Sequence, residues 1–512
     1  MSSPLALRKE KLLPVPAVLA ALGMALSYYF YPFLISLKRG HYLLLVILSV
    51  LIIAVALFRV LKFYPGERNK AVIVSGILAA ALAVGFSLGI ASRRSATGVP
   101  EFGIASNRVI ALSGTLKEDP RSLHGGSGLG VIKLKESSGQ GGLRASAKGN
   151  VTVFFPAESI PRLKEFGRGA EIYIDGTLLI GERGPLFNAS SVHIVKPASG
   201  LEQLRTSLRM KLLDKFQYRQ DSKYKADKAP VWGPLASALL LGMRDDLAVD
   251  LSEGFRNSGC AHILALSGMH LAILSGVLAF LIRRPLGIRG ASIAGAAFII
   301  VYVFVAGSQP SLVRSAIMYL IGTISLWGFL RGKPFSLLCM AFIIQLIFQS
   351  ETGLSLSFIL SYLALTGILT LGESFHCIFR GRLPEVISRS LSSSLGAFII
   401  TAPVVVMYFD TLRPIGIIVG LLIAPLSALF MVLALIALIA SFLPFALWSI
   451  LDFILIQVYR IFELCVNSAG QVPGLSFSNP LPVLIFAIIS WLLILYIQKR
   501  DYAYRNSIGS FN

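Results

Sequence analysis

Residues 238–274 read ALLLGMRDDLAVDLSEGFRNSGCAHILALSGMHLAIL. The first half is too polar and too rich in glycine for an ordinary membrane span. The second half turns apolar and carries His262, Ser267 and His270 with it. Polar side chains at membrane depth are costly unless they face a partner or a wet cavity, so these three are site candidates by default. Ser267 and His270 stand at i,i+3, the spacing that puts two residues on one helical face. Gly259 and Gly268 permit a break or a close helix contact.

The surrounding composition supplies the membrane. Of 512 residues, 55% are hydrophobic and 14% charged, where a soluble chain carries about 25% charged residues. The shortfall lies in apolar blocks of about 18 to 25 residues, each long enough to cross a hydrocarbon core as a helix. Three spans are expected before residue 100, at 13–36, 42–60 and 71–92. Nine more follow the quoted stretch, at 264–282, 291–306, 312–330, 335–349, 354–372, 391–409, 414–440, 445–466 and 481–498. The first block is too long, and followed by too many others, to read as a cleaved signal.

The net charge is +21, from 47 Lys and Arg against 26 Asp and Glu. Basic bias in cytoplasmic loops explains much of it, and a polyanionic ligand is the sharper alternative. Arg8, Lys9 and Lys11, then Lys62, Arg68 and Lys70, flank the N-terminal spans. Arg283, Arg284 and Arg289, Arg331 and Lys333, Arg380, Arg382 and Arg389, and Lys499 with Arg500 follow in alternate connections. One topology puts every cluster inside, with both termini cytoplasmic and residues 100–198 outside. Asp452, Arg460 and Glu463 fall within a span, and an Arg460–Glu463 pair at i,i+3 is the simplest account. Cys260, Cys339, Cys377 and Cys465 show no CxxC pairing, so no zinc or iron–sulfur site is implied.

Residues 100–198 change period. Alternation at Arg108–Leu116, Gly130–Lys135, Val151–Phe155, Glu171–Leu179 and Leu186–Val195 predicts five half-buried strands separated by glycine-rich turns. That count fits a small barrel of the OB type, whose open face commonly binds oligonucleotides or oligosaccharides. A small β-sandwich that only mediates assembly fits the pattern as well. Next, Leu201, Leu204, Leu208, Leu212 and Phe216 share a helical face, with Arg205, Arg209, Lys211 and Lys215 elsewhere on the helix. This is an interfacial helix, and its basic positions are candidate nucleic-acid contacts, although membrane docking alone explains them.

The quoted stretch resembles the signature of the ComEC family of DNA-uptake channel proteins, through Phe255-Arg256, Ser258-Gly259 and His262-Ile-Leu-Ala-Leu-Ser-Gly-Met-His270. Gly307-Ser-Gln-Pro-Ser311 with Arg314, then Phe358-Ile-Leu-Ser361-Tyr-Leu-Ala364, resemble two further family motifs in order and spacing. Pro403, Tyr408-Phe409 and Ala424-Pro425 are similar to a fourth. Ile359 and Gly420 depart from the family's usual Gln and Asn. Many members continue into a metallo-β-lactamase-like domain. No HxHxDH ligand run occurs here, so no nuclease activity, metal or other cofactor is expected.

The resulting expectation is a polytopic α-helical membrane protein of about 12 spans, with an inserted small all-β extracytoplasmic OB-like domain. Its parts are residues 1–99, 100–198, an amphipathic linker at 199–230, a channel domain at 231–498, and a tail at 499–512. The resemblance implies single-stranded DNA as cargo in the bacterial inner membrane. It also implies an extracytoplasmic DNA receptor, a cytoplasmic helicase-like motor, and possible recourse to a separate nuclease. The chain itself has no Walker A sequence to drive transport.

Arg256, His262, Ser267, His270, Ser311, Arg314 and Ser361 are the candidate path residues, with a hydrogen-bonded packing core as the rival role. Arg314 either meets phosphates or snorkels to an interface. A Ser/His hydrolase is the weaker alternative, because i,i+3 placement suits no nucleophile–base pair and no orienting acid is evident. A transporter of an anionic lipid or glycan precursor is the other alternative.

Overall fold

The computed structural model describes residues 14–32, 68–96, 100–123, 126–181, 184–217, 231–326, 333–440, 446–477, 479, 481–490 and 492. Helices α1 (Pro14–Tyr29) and α2 (Arg68–Ala96) match the first and third expected spans. The expected span at 42–60 lies outside the described residues. Gly85 and Gly89 sit one turn apart on α2. A Cβ at Gly85 would come within 1.9 Å of Ala20 O, and one at Gly89 within 2.5 Å of Met24 O. The two backbones therefore touch directly, the small-residue mode of helix association in membranes.

The inserted domain contains β1 (Val109–Leu116), β2 (Arg121–Ser122), β3 (Gly128–Gly139), β4 (Arg144–Ser146) and β5 (Asn150–Phe155). Helix α3 (Ile160–Phe166), β6 (Glu171–Gly181) and β7 (Gly184–Lys196) follow. The five long strands are those the alternation predicts. Strand β1 pairs antiparallel with both β3 and β6, β6 with β7, and β3 with β5. A parallel β5–β7 pairing closes the ring. Five strands in the order β1-β3-β5-β7-β6 make a closed barrel of the OB kind, which decides between barrel and sandwich. Register shifts along β1 against β3 supply the bend that closure needs. Leu112, Ile132, Val151, Val153, Phe155, Ile172, Ile174 and Phe187 fill the interior. Helix α3, which alternation does not reveal, buries Ile160 and Leu163 against the same core.

Helix α4 (Leu201–Gln217) leads toward the membrane region. There α5 (Gly233–Leu241), α6 (Val249–Asn257) and the four-residue α7 (Ala261–Leu264) precede α8 (Gly268–Ala306). Next come α9 (Pro310–Leu326), α10 (Pro334–Phe348), a tight turn at Ser350–Leu354, and α11 (Leu356–Gly367). A π-type turn (Ile368–Gly372) runs from α11 into α12 (Glu373–Phe379), and α13 (Glu385–Phe409) follows. The remaining elements are β8 (Thr411–Leu412), α14 (Ile415–Ala440), α15 (Ala446–Gly470), β9 (Leu475–Ser476) and α16 (Leu481–Ser490).

Among the described residues, four helices are long and apolar enough to cross a membrane: Gly268–Ala306, Leu356–Phe379, Glu385–Phe409 and Ile415–Ala440. The first is not a single rod. Leu271 near its start clusters with Ile299 and Ala306 near its end, groups that a straight helix would hold about 40 to 50 Å apart. The backbone breaks at Gly287 (φ 65°, ψ −178°), two residues after Pro285. α8 is thus a hairpin, and its arms correspond to the expected spans 264–282 and 291–306.

The β-domain and several connections share one end of the bundle. Asn150 Nδ2 donates to Glu351 Oε1 (2.9 Å), with Lys117 paired to the same carboxylate. Lys164 pairs with Asp245 (2.9 Å), which also accepts from the Ser122 amide (3.1 Å). Arg205 of α4 donates to Phe304 O at the end of α8 (2.8 Å). Strands β8 and β9 pair with each other, and Arg413 Nη1 reaches Asn257 O (2.8 Å).

Candidate functional site

The quoted stretch folds as a broken segment that leads into the first arm of α8. Gly242 ends α5 in the left-handed region (φ 72°). A Cβ there would meet Leu266 Cδ1 at 2.7 Å and Gln309 Nε2 at 2.8 Å. Gly259 (φ 76°) lies so close to Arg413 O and Gly416 Cα that a Cβ would sit 3.0 and 3.2 Å away. These two close approaches press α5–α7 onto the start of α9 and onto the β8–α14 junction. Between α7 and α8 the chain runs extended through Ala265 and Ser267, at ψ 131° and ψ 175°. Extended backbone buried among helices needs protein or water to satisfy its polar groups. Ser311 Oγ does so, donating to Leu266 O at 2.5 Å.

Ser267 and His270 meet, but not on one helical face. Ser267 is the N-cap of α8 and His270 its third residue, so the pair forms a capping box with histidine in the place usually taken by Glu or Gln. The Ser267 hydroxyl accepts from the His270 backbone. His270 Nδ1 accepts from the Ser267 amide at 3.2 Å and lies 2.9 Å from its Oγ. Nδ1 is therefore the unprotonated nitrogen, and Nε2 carries the ring's proton. His270 is fully buried, and its Nε2 has no partner among the described residues.

The other motifs converge on this start of α8. Arg314 of α9, 8% exposed, donates through Nη1 to Ser361 O and lies 5.8 Å over the Tyr362 ring. Ser361 thus contributes its carbonyl. The Tyr362 hydroxyl donates to Gln345 Oε1 (2.8 Å), whose Nε2 donates to Pro310 O (3.0 Å). Ser267, His270, Ser311, Arg314 and Ser361 therefore form one neighbourhood. Arg256 and His262 are exposed on α6 and α7, outside that network.

The basic positions of α4 divide. Arg205 is 2% exposed, and its guanidinium is bound to Asp119 (2.7 Å) as well as to Phe304 O. Arg209 pairs with the same carboxylate, which also accepts from the Arg168 amide at 3.0 Å. Burial raises the Asp119 pKa, but the Arg205 hydrogen bond and the Arg209 charge outweigh it and hold the group below the ordinary carboxylate range. Lys211 is exposed and Lys215 half-buried, while Leu201, Leu204 and Leu208 form an exposed stripe. Asp452 accepts from the Trp232 indole (2.7 Å), whereas no ion pair joins Arg460 to Glu463 among the described residues.

Asp119, Gln345, Tyr362 and Arg413 were not singled out from sequence. A lone glutamine inside the apolar helix α10 was the readable signal. The acids facing α4 and the β-domain offered none. Among the described residues no cluster of His, Cys, Asp or Glu has metal-binding geometry.

A family model described as Competence protein matches residues 239–501, just over half of the 512 residues. The chain belongs to this competence family. The match begins in α5 and takes in the broken segment, α9 with Arg314 and α11 with Ser361, leaving the β-domain outside. ComE operon protein 3 of Bacillus subtilis is 28% identical over 284 residues, covering 52% of this chain and 34% of that protein. An uncharacterized protein of Aquifex aeolicus is 27% identical over 301 residues, 56% of this chain and 68% of its own length. YcaI of Escherichia coli, also uncharacterized, is 26% identical over 213 residues, 38% of this chain and 27% of its length. The chain thus spans only about a third of the Bacillus relative. No solved structure matches.

Proposed function

We propose that this competence-family protein is an inner-membrane channel that passes single-stranded DNA into the cytoplasm during natural transformation. A polyanion cannot enter hydrocarbon, so its route must be polar, wet and able to offset phosphate charge. The observation that carries the reading is the break at residues 265–267. Extended backbone and buried polar groups occur there just before the long apolar helix α8, within the family match.

In this reading the β-domain, the exposed Lys211 and the half-buried Lys215 of α4 receive the strand outside. Arg256 and His262 line the approach, and Ser267, His270, Ser311, Arg314 and Ser361 form the narrow part. Arg205 and Arg209 act first as the clamp on Asp119. An extracytoplasmic receptor delivers DNA, a cytoplasmic helicase-like motor pulls it, and any degradation of the second strand falls to a separate nuclease.

The test is uptake of labelled extracellular DNA into the cytoplasm of a transformable host. A deletion strain is compared with strains carrying the intact gene or His262→Ala plus His270→Ala at normal expression. Loss on deletion, rescue by the intact gene and failure of the double variant support the channel. Unchanged uptake on deletion removes it and puts transport of an anionic lipid or glycan first.

A further inference from the structure

We infer that the first turn of α8 and Arg314 together form a binding site for one phosphodiester group. This rests on the channel reading and names the chemistry its narrow part recognises. The argument begins with an imbalance of charge. Arg314 is 8% exposed, yet no carboxylate pairs with it among the described residues. Its Nη1 donates to a neutral carbonyl, and its Nε is buried without a partner. A guanidinium keeps its charge at any physiological pH. A buried cation left without a counter-charge is strongly unfavourable. No described carboxylate balances it, and a bound anion would.

The geometry around the free arm of the guanidinium says where that anion sits. A Cβ at Gly268 would lie 3.7 Å from Arg314 Nη2 and 2.7 Å from Ser315 Oγ. Nη2, which donates to no described residue, stands over the first residue of α8. The amides of Gly268 and Met269 open the helix, so no preceding turn supplies them with carbonyls. The His270 amide, in contrast, is already taken by Ser267. Two free amides at the positive end of a helix favour an anion. The fully buried His270 Nε2–H adds an unpaired donor in the same turn. Glycine at 268 lets Ser315 and the Arg314 guanidinium come close to the helix start, where any side chain would crowd Ser315. A planar fork beside two amides matches an oxyanion with at least two free oxygens, as a phosphodiester presents, rather than a single-atom halide.

The experiment uses the full chain in nanodiscs and three probes: thymidylyl-thymidine, which carries one phosphodiester, inorganic phosphate, and thymidine. Binding is read by phosphorus NMR line broadening and, for thymidine, by proton saturation transfer. The dinucleotide and phosphate should bind and displace each other, and thymidine should not bind. Gly268→Ala and Arg314→Gln should each weaken both ligands at least about tenfold, whereas Arg389→Gln, at an exposed pair on α13, should not. The competition in the unaltered chain needs no variant to fold. If neither phosphate compound binds, the site is overturned, while the deletion experiment still decides the channel separately. Binding of phosphate alone overturns the phosphodiester assignment, and equal binding by folded Gly268→Ala overturns the location.

Discussion

Replacing Asp119 with Ala should loosen α4 from the β-domain and from α8. Asp119 is the shared acceptor of Arg205, Arg209 and the Arg168 amide. The Arg205 side chain is 3% exposed and that of Arg209 14%, so both cations stay buried when the carboxylate is gone. Arg205 keeps its bond to Phe304 O, and among the described residues Arg209 keeps nothing comparable. Removing one member of a fully buried pair costs about 3 to 5 kcal/mol. The Asp119 side chain is 25% exposed, and water reaching the gap offsets part of that loss, leaving about 3 kcal/mol. At 1.4 kcal/mol per tenfold, this is about a hundredfold in the equilibrium for local opening. Hydrogen exchange on the full chain in detergent reads the change directly. Amides of α4 around Arg205 and Arg209 should exchange about a hundredfold faster, while those of α13, remote from Asp119, should hold their rates. Unchanged α4 exchange in a folded Asp119→Ala protein would refute the reasoning.

The same carboxylate sets a pH dependence. Its folded pKa lies below its unfolded value, so its contribution is complete above pH ~4 and disappears as pH falls through the depressed native value. Protection of α4 should therefore match at pH 7 and pH 5, and a loss between them would contradict the assignment. Gly287→Ala should lower the thermal midpoint in detergent, at about 1 to 3 kcal/mol. Open space surrounds a Cβ there, so the cost is purely that of φ 65° with ψ −178°. An unchanged midpoint would mean that the turn can reform elsewhere. Gln345→Leu strips the Tyr362 hydroxyl and Pro310 O of their partner and should cost about 1 kcal/mol, the usual scale for hydrogen bonds between membrane helices. Equal stability in a thermal melt would show that the two groups find other partners.

Much of the fold can be read from periodicity. The five long strands, the turn between the arms of α8 and the helices α9 to α11, α13 and α14 fall where apolar period and length put them, because burial face and hydrocarbon thickness act on local sequence. Alternation could not close the barrel, since it is indifferent to which strand pairs with which. The β5–β7 pairing joins residues more than thirty positions apart, and that contact makes a barrel of what could have been a sandwich. Helical spacing likewise showed that α4 has an apolar stripe and a basic remainder, yet not that Arg205 turns inward, because Asp119 lies 86 positions earlier. At the candidate site, residue type and membrane depth marked His270, Ser311 and Arg314. Their roles came from the tertiary structure: a capping box, a bond to a broken backbone, and a buried cation that no described carboxylate balances. Period and composition are properties of neighbours along the chain. The balance of buried charge depends on neighbours in space, and only the folded structure brings those together.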